Sequence, residues 1–157
     1  PGQSLSNPYT GILSIFSTRI RNGSPINIFE DGKESRDFVY IDDVVHATHA
    51  ALNQAEPLVD VFNVGSGVAT DVLTIATTLQ RLLGREVATT VTGQFRLGDI
   101  RHNFADLGKI RERLGFEPGV SVEEGLRRLV EWVRAEPLGS DGYERSLNEL
   151  RQRGLLK

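Results

Sequence analysis

The stretch INIFEDGKESRDFVYIDDVVHATHAAL (Ile26–Leu52) passes through three kinds of local structure without a break. Ile26–Phe29 reads as a short strand. Glu30–Ser35 reads as a turn around Asp31-Gly32, a pair that tolerates left-handed backbone. Arg36–Ile41 alternates in polarity and is rich in aromatic and β-branched residues, which predicts a second strand. Asp42 or Asp43 then supplies the cap of a helix running through Ala55 and ending before Pro57.

The flanks extend the alternation of strand and helix. Upstream, Ile12, Ile15, Phe16, Arg19 and Ile20 recur at helical spacing and predict a helix over Gly11–Asn22, stopped by Asn22–Pro25. Downstream, Val59–Val64 predicts a strand covered on both faces. Thr70 or Asp71 caps a helix through about Leu83, with Gly84 closing it. Glu86–Val91 predicts another strand, Asp106 caps a short helix closing at Leu114-Gly115, and Ser121-x-x-Glu124 is a capping box. This is an α/β pattern. Residues 1–136 form the main part; 137–157 hold a hinge-like Pro/Gly stretch and one amphipathic helix.

Composition bounds the function. The chain of 157 residues is long enough for a real core. Its net charge of −3 gives no electrostatic reason to expect nucleic acid or an anionic membrane as partner. Having no cysteine, it is excluded from thiolate metal sites and Cys nucleophiles; this fits a reducing cytoplasm. Asp42, His46 and His49 lie at helical spacing, but no further ligand is near and no metal is expected. The chain starts without Met, which suggests that the front of a longer protein is missing.

VFNVGSGVATDV (Val61–Val72) has the outline of a dinucleotide loop, strand then Gly-x-Gly then helix. The third glycine position is Thr70, and the following strand ends without a carboxylate for a ribose. The loop is therefore read as a glycine-assisted turn, and no cofactor-binding residue is expected from it.

Four segments in order resemble the NAD-dependent nucleotide-sugar epimerases and dehydratases of the extended short-chain dehydrogenase/reductase superfamily, UDP-glucose 4-epimerase among them. They are RDFVYIDDVV with its preceding DG turn, FNVGSG, RLGDIRHNFADLGKIRERLGFEP and VEEGLRRLVEWV. The resemblance runs from about Pro1 to Val133 and matches the C-terminal half of such an enzyme. It implies the substrate-binding part of an extended Rossmann-type fold, with VFNV as a late strand of a sheet begun elsewhere. It also implies a UDP- or dTDP-hexose substrate, NAD in the parent enzyme, and transient oxidation and re-reduction at C4. A 4,6-dehydratase or reductase of the same superfamily, or a non-catalytic binding module, are the alternatives.

By the same resemblance Arg36 and Arg96 meet the diphosphate, Asp99 the ribose, and Asn27, Ile28, Phe29 and Val72 the nucleotide. By residue type alone, Arg36 also fits a paired strand-end arginine, and Arg96 with Asp99 a surface ion pair. The family's Tyr-x-x-x-Lys pair is absent: four residues after Tyr9, Tyr40 and Tyr143 stand Leu13, Val44 and Leu147. No catalytic residue is therefore assigned, and the chain alone is expected to be inactive, to hold no NAD and to expose an apolar patch where an N-terminal NAD domain would pack. The parent family often forms homodimers through that domain.

Overall fold

A computed structural model describes residues 1–5, 11–56, 59–139 and 142–157. Tyr9, the helix stop at Pro57 and the middle of the hinge-like stretch lie outside the described residues. The chain is α/β and divides into two compact units, residues 1–34, 71–101 and 126–157 against 35–70 and 102–125.

The first unit is built on a parallel pair. β1 (Ile26–Ile28) and β4 (Thr89–Val91) run in register Ile26 to Thr89, Asn27 to Thr90 and Ile28 to Val91. A parallel pair needs a long crossover, and the chain between them includes α3 (Val72–Leu83). α3 packs on β1 and on α1 (Ile12–Asn22). Alternation along β1 buries Ile26 and Ile28 and turns Asn27 the other way. Ile20, Ile75, Leu79 and Val133 complete the most buried set. α1 ends as predicted: the Gly23 and Ser24 N–H groups return to the carbonyls of Ile20 and Arg19 at 3.1 and 2.9 Å. Asp71 caps α3 by accepting from the Thr74 N–H at 2.7 Å. α5 (Val122–Ala135) starts in the second unit, and its Leu126, Leu129, Val130 and Val133 are buried. α6 (Tyr143–Gln152) is amphipathic, and Tyr143, Leu147 and Leu156 bury with Ile15 and Phe29 packed against them.

The second unit holds β2 (Ser35–Asp37), α2 (Ile41–Leu52) and α4 (Gly108–Leu114). β2 pairs with β3 (Ala69–Asp71), whose last residue already counts with the first unit. Ala47, Leu107, Ile110 and Phe116 form its core, with Phe62 and Val64 packed on it.

Several expectations change. The strand over Arg36–Ile41 shrinks to Ser35–Asp37, because β3 offers only three residues to pair with. Val59–Val64 joins no ladder among the described residues; the resemblance places its partners in a sheet begun elsewhere. Val59 is fully exposed and Val61 is 82% exposed, while Phe62 and Val64 reach the core. Neither Asp42 nor Asp43 caps α2, whose N-cap is Tyr40 without a side-chain bond. Asp43 is buried in the first turn and accepts from the Gly119 and Val120 N–H groups at 2.9 and 3.1 Å. On α2, Ile41, Val45 and Leu52 are exposed, and the buried residues are Asp43 and Ala47.

Candidate functional site

Asn27, Phe29, Val72, Arg96 and Asp99 all belong to the first unit, as does Ile28; Arg36 belongs to the second. The carbonyl of Arg96 accepts from the Asp99 N–H at 3.2 Å, closing a four-residue turn. Gly98 sits inside that turn at φ +80°, a value that other residues adopt only under strain. The turn brings Arg96 and Asp99 together on an exposed loop. The Arg96 guanidinium lies 5.6 Å from the Phe29 ring centroid, a cation–π distance. One strand-end residue and one loop residue of the expected set therefore meet.

Asn27 lies on the face of β1 opposite Ile28. Ile28 itself is core, and its carbonyl accepts from the Thr92 N–H and hydroxyl at 2.8 and 3.0 Å, so its side chain is not available to a ligand. Val72 opens α3, and its N–H donates to the Glu34 carbonyl at 3.1 Å. Arg36 donates to the Ser35 carbonyl at 2.9 Å and lines a shallow pocket with Phe62, Asn63 and Phe104.

Arg101 closes the far end of the same loop. Its guanidinium binds both oxygens of Asp31 at 2.9 and 2.7 Å and also meets Glu30. That contact holds the Asp31 carboxyl below its ordinary range. Glu34 is buried nearby, and burial pushes its carboxyl up, with Glu30 and Asp31 adding to the push. Among the described residues, Glu30, Asp31 and Glu34 are a group with metal-ligand spacing, their oxygens within 4.8 Å of one another. Arg101 already supplies a positive charge to two of the three.

The glycine loop binds an anion that the chain itself supplies. Asp37 accepts from the Ser66 N–H at 2.7 Å, the Ser66 hydroxyl at 2.6 Å, the Gly67 N–H at 2.9 Å and the Ala105 N–H at 3.1 Å. A Cβ on Gly65 would collide with the Asp37 carboxylate and stand 2.6 Å from the Ala105 Cβ, so only glycine fits there. The first N–H groups of α3 are also taken: Val72 by Glu34, Leu73 by Gly32 and Thr74 by Asp71. This loop and helix end do not fit a dinucleotide pyrophosphate, which would need those donors.

Sequence reasoning missed Asp37, Arg101 and Tyr143. Arg101 and Asp37 lie inside the quoted motifs, but Asp31 is 70 positions from Arg101, and Ser66 and Ala105 are 29 and 68 from Asp37, where no local spacing could reveal them.

Comparison with known proteins follows the same lines. Residues 1–65 match the model of the NAD dependent epimerase/dehydratase family. The dTDP-L-rhamnose 4-epimerase of Burkholderia thailandensis is 41% identical over 136 residues, covering 87% of this chain and 37% of the relative. The UDP-glucose 4-epimerase of Thermotoga maritima, solved with UDP-glucose, is 38% identical at a TM-score of 0.70, over 83% of this chain and 42% of that one. MoeE5, solved with UDP-glucuronic acid and NAD, is 30% identical at a TM-score of 0.76, over 86% and 44%. The chain thus spans about two fifths of the length of the relatives it matches. Among the described residues no helix is long and apolar enough to cross a membrane.

Proposed function

We propose that this chain, which is similar to the NAD-dependent epimerases, carries the nucleotide-sugar-binding part of a 4-epimerase acting on a UDP- or dTDP-hexose. The observation that carries the reading is the Arg96–Asp99 turn set beside Phe29. Arg96 is a permanent cation with a planar fork of donors, suited to a diphosphate. Asp99 is an acceptor three residues away, suited to ribose hydroxyls. Phe29 lies beside Arg96, and Asn27 and Val72 are the further contacts to the nucleotide. Arg36 is a further phosphate ligand by its place in the RDFVYIDDVV motif. The exposure of Arg96 and Asp99 on their loop is consistent with ligand access.

NAD chemistry belongs to the whole enzyme. No residue of this chain is assigned to holding NAD, and none supplies a Tyr-x-x-x-Lys pair. The chain alone is therefore a binder that does not turn substrate over.

Titration calorimetry with UDP and dTDP tests this. Binding is expected, and Arg96→Ala should weaken it by roughly 10- to 100-fold, the range of a charge-assisted hydrogen-bond loss. Uridine, lacking the diphosphate, should bind weakly and equally to both proteins. A folded chain that takes neither nucleotide sinks the reading.

A further inference from the structure

The loop that presents Arg96 does not stand alone. Residues 95–97 pair antiparallel with residues 155–157 at the C-terminal end of the chain. The Phe95 N–H donates to the Lys157 carbonyl at 2.9 Å, and the Lys157 N–H returns to Phe95 at 3.0 Å. The Leu97 N–H donates to the Leu155 carbonyl at 2.9 Å. Arg96 and Leu156 are then directly opposite each other as a bridge pair.

That register fixes sidedness. Directly opposed residues of an antiparallel pair point to the same face, and their neighbours point to the other. Leu156 is buried in the cluster of Tyr143 and Leu147, with Phe29 packed against it. Arg96 therefore shares the face that carries Phe29, in accord with its guanidinium lying over that ring. Phe95 and Leu97 take the opposite side and stay 43% and 50% exposed. A slip of one residue would exchange the two sets and turn Arg96 away from Phe29.

Tyr143 acts on the same neighbourhood from the start of α6. Its ring stacks on the buried Arg19 guanidinium at 4.4 Å. Arg19 is further held by the Pro25 carbonyl at 2.6 Å, immediately before β1. Burial pushes the Tyr143 phenol up, against the pull of Arg19 and of the Asn27 side chain. Asn27 and Phe29 on one side and Arg96 on the other are thus braced by residues from the last fifteen of the chain.

We infer that Leu156 and its tail strand are positioning elements of the proposed nucleotide site, setting the register in which Arg96 faces the ligand. The inference rests on the nucleotide reading of that site. Leu156 does not touch the ligand; it acts through Arg96.

The test is calorimetric titration of UDP and uridine into the 157-residue chain and four variants, with circular dichroism to confirm folding. Leu156→Asp, and separately removal of residues 155–157, should each weaken UDP binding about tenfold while leaving uridine unchanged. Leu156→Met, which keeps the buried volume, should restore near-normal binding. Arg96→Ala placed in the shortened chain should add little further loss, because both changes remove the same contact. Normal UDP binding by a folded Leu156→Asp or shortened chain overturns the inference alone. So does an equal loss for uridine, which would indicate general loosening, or tighter UDP binding, which would make the tail a covering strap. Failure of the unsubstituted chain to bind UDP removes the reading of the site and this inference with it. Should Leu156→Asp fail to fold, the shortened chain, which keeps α6, decides the matter.

Discussion

Asp37 follows Arg36 in the motif and accepts four hydrogen bonds, three from backbone N–H groups and one from a hydroxyl. Burial alone would push its carboxyl up; the bonds from Ser66, Ala105 and Gly67 outweigh that and hold it below its ordinary 3.8. A group with a depressed folded pKa stabilises the fold above its unfolded value and loses that contribution as pH falls through the folded value. Asp37→Asn should therefore lower the urea midpoint clearly at pH 7, and the gap to the unsubstituted chain should close as pH drops below 3.8. A gap that stays constant through that window would contradict the assignment. Asp37→Ala, which strands several donors, should cost about 2–4 kcal/mol in the same measurement. Asp37 was legible as part of a motif but not as the anion in the glycine loop. Its partners Ser66 and Ala105 are 29 and 68 positions away.

At the scale of elements, the helices were the more legible parts. α1 and α3 follow from their periodicity and caps, signals contained within a few residues. Strands were overextended, since a strand is defined by a partner and its length by the partner's length. β2 stops after three residues for that reason. α2 shows how tertiary demand overrides a local rule. Asp43 sits where a helix favours a carboxylate, yet it serves the backbone of Gly119 and Val120, far along the chain. Asp43→Ala should thus cost more than a lost cap, about 2–3 kcal/mol against ~1 for Asp71→Ala at α3. Thermal melts of the two variants, compared side by side, check the ordering.

For the whole molecule, the second unit carries exposed large apolar side chains. Ile41, Val45 and Leu52 on α2, with Val59 and Val61 beyond it, are all more than half exposed. Side chains in water add nothing to the core, so Val59→Lys with Val61→Lys should leave the melting temperature unchanged. The same double substitution should reduce self-association at high concentration, read by analytical ultracentrifugation, because it places charge in apolar surface. A large fall in melting temperature would show that these valines are packed after all.

The sequence by itself determined what depends on neighbours along the chain. That covers α1 and α3 with their caps, the absence of a Tyr-x-x-x-Lys pair and the resemblance to nucleotide-sugar epimerases. Only the tertiary structure decided that the glycine loop holds Asp37, that Val59–Val64 runs without a ladder among the described residues, and that the C-terminal tail sets the face of Arg96. Each of those depends on contacts between segments tens of residues apart. Such contacts form only when folding brings together buried surface and unpaired backbone groups, and no local periodicity encodes which distant segment will meet them.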